Sequence, residues 1–157
     1  MNVIIMNPTD DINILRPLAE EWAKEVRAAE YDFPTDVGIG LDFMRGLMTR
    51  SDGDVLVLMD GEKVCGCMGL MYRPNHVGPG MIANESLFYL TQSARSGGGA
   101  VELIQAARKV ALSKGCNFFF LNASRMAGDA DRSRKLYERM GFKHIESSYM
   151  AVLCPVV

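Results

Sequence analysis

The spacing of hydrophobic residues changes period several times along the chain. In the N-terminal part they recur at steps of three and four, which predicts an amphipathic helix over residues 14–30. Residues 54–59 and 63–72 instead have the short apolar runs of strands, and the Asp60-Gly61 pair between them is typical of a hairpin turn. The chain therefore combines helices with strands, which excludes an all-helical or an all-β class.

The same criteria, applied to the whole chain, predict the element order β-α-α-β-β-β-α-β-α-β-β. In chain order we predict a strand over 3–6, helices over 14–30 and 41–49 with a loop over 31–40 between them, strands over 54–59, 63–72 and 81–91, a helix from Gly98 to Gly115, a strand over 117–123, a helix over 130–140 and strands over 142–146 and 148–153. An antiparallel meander followed by a β-α-β crossover predicts an α/β fold with a mixed sheet and helices on both faces. We expect one domain over residues 1–157.

Composition narrows the classes of function. The 157 residues are 48% hydrophobic and 23% charged, with a net charge of -2, which excludes intrinsic disorder and disfavours an electrostatic nucleic-acid binder. No apolar run approaches the ~20 residues that cross a bilayer, so we expect a cytoplasmic protein without a membrane partner. Cys65 and Cys67 are expected on one face of a strand, but the chain lacks a C-x-x-C pair and a Cys/His cluster, so we predict buried thiols and no metal.

A glycine-rich segment between a strand and a helix is the first candidate for chemistry. Residues 95–100 read Arg-Ser-Gly-Gly-Gly-Ala, and glycines before a helix let backbone amides approach an anion closely. Arg95 would add positive charge there, whereas the alternative is an ordinary flexible turn. The spacing fits neither the nucleoside triphosphate P-loop nor the G-x-G-x-x-G dinucleotide motif. A pyrophosphate held here would belong to another cofactor.

Two motifs resemble one family. Arg95-x-x-Gly98-x-Ala100 is similar to the [Q/R]-x-x-G-x-[G/A] signature of the GNAT superfamily, the acyl-CoA-dependent N-acyltransferases, and residues 136–142 resemble its L-Y-x-x-x-G-F helix end. The resemblance covers nearly the whole chain and implies a splayed central sheet with acetyl-CoA as cosubstrate. The Glu-x-x-Tyr-Met stretch over 146–150 is similar to bacteriophage-encoded members, for which the location would be the host cytoplasm.

The resemblance also implies which residues hold the cofactor. The pantetheine arm would add to the end of the strand over 81–91, an amide near Leu90 would polarise the thioester carbonyl, and amides in 96–100 would surround the pyrophosphate. Asn122 either faces the same cleft or is only a polar strand terminus. The implied cofactor-binding residues are Tyr89, Leu90, Arg95, Ser96, Gly97, Gly98, Gly99, Ala100 and Asn122.

Two side chains are candidates for proton transfer. By resemblance, Tyr137 is the general acid that protonates the departing thiolate, and its alternative role is simply to fill a core-facing helical stripe. Glu85 is the candidate base, and simple alternation places it on one face with Leu87 and Tyr89. Its alternative is a carboxylate that binds the substrate or an arginine.

The acceptor is less defined. Tyr31, Asp32 and Phe33 could receive a cationic amine or be ordinary loop residues. Ala130 and Ser133 stand where many protein N-terminal acetyltransferases of the superfamily have N-x-x-A, which argues against that substrate class.

The predicted function is an N-acetyltransferase that moves an acetyl group to a primary amine by direct attack in a ternary complex. Its acceptor is a small molecule or a protein, and a homodimer is compatible with the sequence. The alternative is a non-catalytic acyl-CoA-binding or protein-interaction module.

Overall fold

The computed structural model describes residues 1–28, 34–126, 128–151 and 153. A central sheet is covered by helices on both faces. Its elements are β1 (Asn2–Ile5), a 3-10 turn (Ile12–Leu15), α1 (Arg16–Ala28), α2 (Val37–Thr49), β2 (Gly53–Asp60), β3 (Lys63–Pro74), β4 (Met81–Leu90), α3 (Gln92–Ser96), α4 (Gly99–Ser113), β5 (Phe118–Phe120) and α5 (Ala130–Arg139). None of the helices among these described residues is long and apolar enough to cross a membrane.

The sheet has the order β1-β2-β3-β4-β5. The first four strands pair antiparallel as a meander, and β5 pairs parallel to β4 after the α4 crossover. The predicted mixed α/β sheet is therefore confirmed. Its two faces carry separate cores, one beneath α4 and α5 and the other beneath α1 and α2.

A β-bulge in β4 changes the face of the sheet on which Glu85 lies. Leu70 pairs with Glu85 and Gly69 with Leu87, so Ser86 is an extra residue in β4. Glu85 therefore lies on the α4/α5 face, opposite to Leu87 and Tyr89. The expectation of one shared face is wrong because simple alternation assumes an unbroken ladder.

A second bulge lies earlier in the sheet and has the same effect on the cysteines. Met59 pairs with Val64 and Leu58 with Gly66, which leaves Cys65 as the extra residue. Cys65 thus belongs to the α4/α5 core and Cys67 to the α1/α2 core, so the predicted common face is wrong.

The sheet opens between its last two strands. β4 and β5 pair only from Ile82–Phe118 to Asn84–Phe120, although β4 continues to Leu90. The strand predicted over 117–123 is consequently shorter, because its last residues have left β4. We call this gap, bounded by residues 85–90 of β4 and by residues 121–123, the β4–β5 opening.

Three further segments differ clearly from the sequence prediction. α2 begins at Val37, inside the predicted loop, because the Asp36 side chain accepts a hydrogen bond from the Ile39 amide (2.9 Å) and caps the helix. The short helix α3 lies within the predicted connection between β4 and α4, with Thr91 as its N-cap. The strands predicted over 142–146 and 148–153 are absent from the described residues of that segment. Alternation of apolar and polar residues suits a strand but does not provide a neighbouring strand with which to pair.

Candidate functional site

Glu85 and Asn122 bridge the narrow end of the β4–β5 opening. Asn122 donates from its backbone amide to the Glu85 Oε2 atom (2.9 Å) and from Nδ2 to the same atom (3.0 Å). Nδ2 also donates to the backbone carbonyl of Glu85 (3.1 Å). These contacts, which involve the side chains, replace the backbone hydrogen bonds that would otherwise continue between β4 and β5. Glu85 and Asn122, both predicted as site residues, thus lie in contact with each other.

Tyr137 reaches the same place from α5. Its hydroxyl donates to the backbone carbonyl of Asn122 at 3.2 Å, and its ring packs against Phe142, with centroids 6.1 Å apart. The Gly141 turn directs the chain back, and the Phe142 amide donates to the Tyr137 carbonyl (3.0 Å). We call Glu85, Asn122 and Tyr137 the Glu85 cluster.

The ionisable groups of the Glu85 cluster are strongly affected by burial. Glu85 is only 6% exposed, and its desolvation raises the pKa of the carboxyl group, an effect that the Asn122 hydrogen bonds partly offset. Burial, followed by the Glu85 charge, raises the pKa of the Tyr137 phenol as well. Tyr137 therefore keeps its proton at neutral pH, and Glu85 binds a proton more readily than an exposed glutamate does.

The other end of the opening is formed by Leu90. The Thr91 amide donates to the Cys65 carbonyl (2.9 Å), so alternation in an antiparallel ladder directs the N–H and C=O of Leu90 away from β3, toward the opening. The Leu90 carbonyl accepts a hydrogen bond from Arg95 Nε at 3.0 Å. The N–H of Leu90 therefore faces the space that β5 has left.

Arg95 is turned toward α1 rather than away from the protein. Its Nη2 donates to both carboxylate oxygens of Glu25 (2.9 and 2.8 Å), and its guanidinium lies 5.0 Å from the centroid of the Tyr89 ring. Tyr89 donates its hydroxyl to Glu25 at 2.8 Å, and burial, with this bond, raises the pKa of the tyrosine. We call Glu25, Tyr89 and Arg95 the Glu25 cluster.

The glycine segment forms the N-terminus of α4. Gly98 is the N-cap residue with φ 82°, a left-handed conformation that favours glycine, and no side chain caps the helix. Gly99 is required by packing, because a Cβ there would lie 2.7 Å from Leu58 Cδ2. The first two amides of the helix, those of Gly99 and Ala100, have no intrahelical acceptors, and Ser96, Gly97 and Gly98 are exposed. This end can bind an anion by its amides and dipole.

Sequence reasoning missed Glu25 and could not place the acceptor site. Glu25 is one of several polar residues on α1, and no motif distinguishes it from its neighbours. The acceptor candidates Tyr31, Asp32 and Phe33 lie outside the described residues.

Two further observations concern the thiols and the metal-ligand side chains of the described residues. Burial raises the pKa of the Cys67 thiol to about 12. No group of three or more metal-ligating side chains occurs within the residues that the structure describes.

Solved structures share this fold over almost their entire length. A ribosomal-protein-alanine N-acetyltransferase from Brucella melitensis biovar Abortus 2308 matches with a TM-score of 0.72 and 19% identity, covering 98% of this chain and 100% of that one. An aminoglycoside acetyltransferase from an uncultured soil metagenomic sample matches with a TM-score of 0.69 and 13% identity, over 99% and 98%. A protein described as a transcriptional regulator from Bacillus halodurans C-125 matches with a TM-score of 0.75 and 18% identity, over 97% and 100%. At such low sequence identities, the similarity to these structures establishes the fold of this chain and nothing further.

Sequence comparison gives the family. A search of curated proteins gave no significant match. The family model described as an acetyltransferase (GNAT) domain matches residues 51–144, which include β4, the glycine segment, β5 and α5. The match extends over more than half of the chain and over both sides of the β4–β5 opening, and the protein therefore belongs to the GNAT acetyltransferase family.

Proposed function

We propose that the protein is an N-acetyltransferase that moves an acetyl group from acetyl-CoA to a primary amine. The observation that carries the proposal is the β4–β5 opening, in which an unpaired sheet edge, a buried carboxylate and a tyrosine hydroxyl lie side by side. The family supports acyl transfer in general. The acetyl donor, the amine acceptor and the direct route are the parts that we add.

The chain offers two binding elements that fit acetyl-CoA. On the side away from β3, no strand among the described residues pairs with β4 from Glu85 to Leu90, so an extended chain with amide groups, such as pantetheine, can pair with this edge. The uncapped N-terminus of α4 follows the end of β4 through α3, and it suits a pyrophosphate. Within this site, the Leu90 amide, at the far end of the opening from the Glu85 cluster, would donate to an amide carbonyl of the pantetheine arm.

The Glu85 cluster supplies the proton transfers. An alkylammonium acceptor must lose a proton before it attacks, and Glu85 would receive that proton. The amine nitrogen then bonds to the acetyl carbon while the carbon–sulfur bond breaks, and the Tyr137 hydroxyl gives its proton to the sulfur. The second proton, which the nitrogen loses as it becomes an amide, returns through solvent to the tyrosine oxygen and restores its hydroxyl. Because burial raises the pKa of the Tyr137 phenol, the proton is present on the tyrosine before the step begins. The negative charge that develops on the sulfur then drives the transfer of this proton.

Direct attack is favoured over a covalent acyl-enzyme. A thiol nucleophile needs a lowered pKa and access to the substrate. Cys65, Cys67 and Cys116 are buried, and burial raises the pKa of the last two. None of these three thiols is suited to accept the acetyl group, so we propose a ternary complex of protein, acetyl-CoA and amine.

The first test is thermal unfolding with acetyl-CoA, free CoA and ATP in parallel. A ligand that binds only the native state raises the melting temperature, and at 100 times its dissociation constant it adds about 2.7 kcal/mol to the free energy of unfolding. We expect a shift with both CoA species and a smaller one with ATP, which shares the adenine nucleotide but has no pantetheine. The absence of a shift with either CoA species would contradict the proposal.

A panel of amines then separates an enzyme from a binding module. Small polyamines, amino sugars, amino acids and short peptides are incubated with acetyl-CoA, and release of the free thiol is measured for each. Turnover that depends on one amine class supports the proposal and names the acceptor. Binding of CoA without amine-dependent turnover would favour the non-catalytic acyl-CoA-binding alternative.

A further inference from the structure

The splay of the sheet leaves backbone carbonyls of β4 without their strand partner, and two side chains take the vacant places. At the narrow end, Asn122 Nδ2 donates to the Glu85 carbonyl (3.1 Å). At the far end, Arg95 Nε donates to the Leu90 carbonyl (3.0 Å). The amide that faces the opening, the N–H of Leu90, lies in the same residue as the second of these carbonyls. In an extended strand the N–H and C=O of one residue point to the same side, so a contact that holds the strand end at this carbonyl helps to keep the amide directed into the opening.

Arg95 is itself held in place by contacts from several elements. Glu25 on α1 receives two hydrogen bonds from Nη2, and the Tyr89 ring lies beneath the guanidinium. The backbone carbonyl of Arg95 accepts a hydrogen bond from Arg132 Nη2 on α5 (3.2 Å). The side chains of Arg95 and Glu25 are 26% and 29% exposed, so this ion pair is mostly shielded from water. Arg95 thus joins the end of β4 to α1 and α5.

The donor inventory of Arg95 argues against a main role as a ligand for phosphate. Two of its three nitrogens, Nε and Nη2, are already used by a carbonyl and by a carboxylate that neutralises its charge, which leaves Nη1 for any other anion. A phosphate would have to compete with Glu25 for the guanidinium. The α4 N-terminus, in contrast, has backbone amides without intrahelical acceptors.

We propose that Arg95 is a positioning residue: its guanidinium, held by Glu25, replaces the missing strand at Leu90 and keeps the Leu90 amide directed into the β4–β5 opening. The consequence for acyl transfer rests on the proposed function, whereas the effect on the strand end does not. Arg95 and Glu25 would then act as one unit on the binding of the pantetheine arm, and the cofactor phosphates would be bound by backbone amides.

The test uses Arg95→Lys, Glu25→Gln and the double variant. Lysine keeps the charge of Arg95 but cannot reproduce its planar fork, and glutamine keeps the shape of Glu25 without its charge. The matched control is Arg50→Lys, which breaks another two-pronged arginine–carboxylate pair, with Asp52, at an exposed position outside the opening (2.6 and 2.7 Å). Amide hydrogen exchange of residues 86–91 is measured in the free protein.

We expect exchange of residues 86–91 to rise by at least ~10-fold in both single variants, because local opening of this strand end becomes easier. The double variant should resemble the singles, as expected for residues that act as a unit, and Arg50→Lys should leave this segment unchanged. Unchanged exchange in either single variant would overturn the proposal. This result does not depend on whether the protein binds CoA, so it is separate from the thermal-shift test of function.

The kinetic part compares two thioesters. Acetyl-CoA carries phosphates, whereas S-acetylpantetheine has the same thioester and arm without them. With the amine found by the panel, we expect kcat/KM for both thioesters to fall about 10-fold in Arg95→Lys and in Glu25→Gln, mainly through KM, because both carry the arm that pairs with the end of β4. The dissociation constant of CoA should rise by a similar factor in both variants. A loss seen only with acetyl-CoA, together with weaker CoA binding in Arg95→Lys alone, would instead make Arg95 a phosphate ligand and overturn the proposal.

Discussion

The two ends of the β4–β5 opening each have a carboxylate and a tyrosine, but the surroundings of the carboxylates differ. At the narrow end, the described partners of the Glu85 carboxylate are the neutral amide groups of Asn122. At the far end, Glu25 receives two hydrogen bonds from the Arg95 guanidinium. A buried carboxyl group without a cation nearby has a raised pKa and is suited to proton transfer. A carboxylate paired with an arginine is suited to holding elements together.

Residues of the same type in the two clusters therefore have different expected roles, although the sequence does not distinguish them. Glu85 and Glu25 are both glutamates that no motif distinguishes from their neighbours, and Tyr137 and Tyr89 are both buried tyrosines. The presence of a guanidinium beside one pair distinguishes them. We therefore expect substitutions in the Glu85 cluster to affect the chemical step mainly, and the loss of Glu25 to affect stability as well.

The largest effect is expected for Tyr137→Phe. This change removes the hydroxyl that donates to the Asn122 carbonyl and keeps the ring that packs against Phe142. Without the proton donor, turnover should fall at least ~10-fold, while the affinity for acetyl-CoA changes little. Steady-state kinetics and calorimetric titration with CoA measure the two quantities separately.

Tyr72→Phe is the matched control for that experiment. Tyr72 is also buried, and it donates its hydroxyl to Asp54 at 2.8 Å, outside the Glu85 cluster. Loss of this bond should lower stability by about 1 kcal/mol and leave turnover unchanged. If Tyr137→Phe behaved like this control, Tyr137 would have only a packing role.

A somewhat smaller loss of turnover is expected for Glu85→Gln, since solvent can partly replace a base. Burial raises the pKa of Glu85, so in the wild type the rate should rise with pH as this carboxyl group loses its proton. The glutamine variant should lack that rise and turn over about 10-fold more slowly on its plateau. The measurement is kcat/KM against pH. An unaltered profile with unaltered turnover would move the base role to another residue or to water.

Much of the fold followed from local patterns. Apolar periodicity located the helices and the meander, and the glycine segment was found because a local conformation requires it: Gly98 has a positive φ. Tyr137 was found through its motif, and it does lie beside Glu85 and Asn122. Features that depend on a few consecutive residues were therefore predictable.

The remainder depends on pairing between distant residues. The Ser86 bulge reverses the face of Glu85, and it exists only as a register between β3 and β4. The contact between Glu25 and Arg95 joins residues far apart in the chain, without any motif. The segment after Gly141 alternates like a strand, but its described residues pair with no edge. Periodicity indicates which residues suit a sheet and cannot supply the partner strand.

The smallest expected effect is on stability. Substitution of the two carboxylates should change the free energy of unfolding in opposite directions. Because the pKa of Glu85 is higher in the folded than in the unfolded protein, the wild type loses stability as pH rises from the ordinary glutamate pKa through the raised one. Glu85→Gln cannot titrate, so its free energy of unfolding relative to the wild type should increase over this interval and then level off. Glu25→Gln breaks the pair with Arg95 and should lower that free energy by about 1 kcal/mol. Urea unfolding of both variants at several pH values measures this difference, and equal effects of the same sign would show that the two carboxylates are not distinguished by the guanidinium.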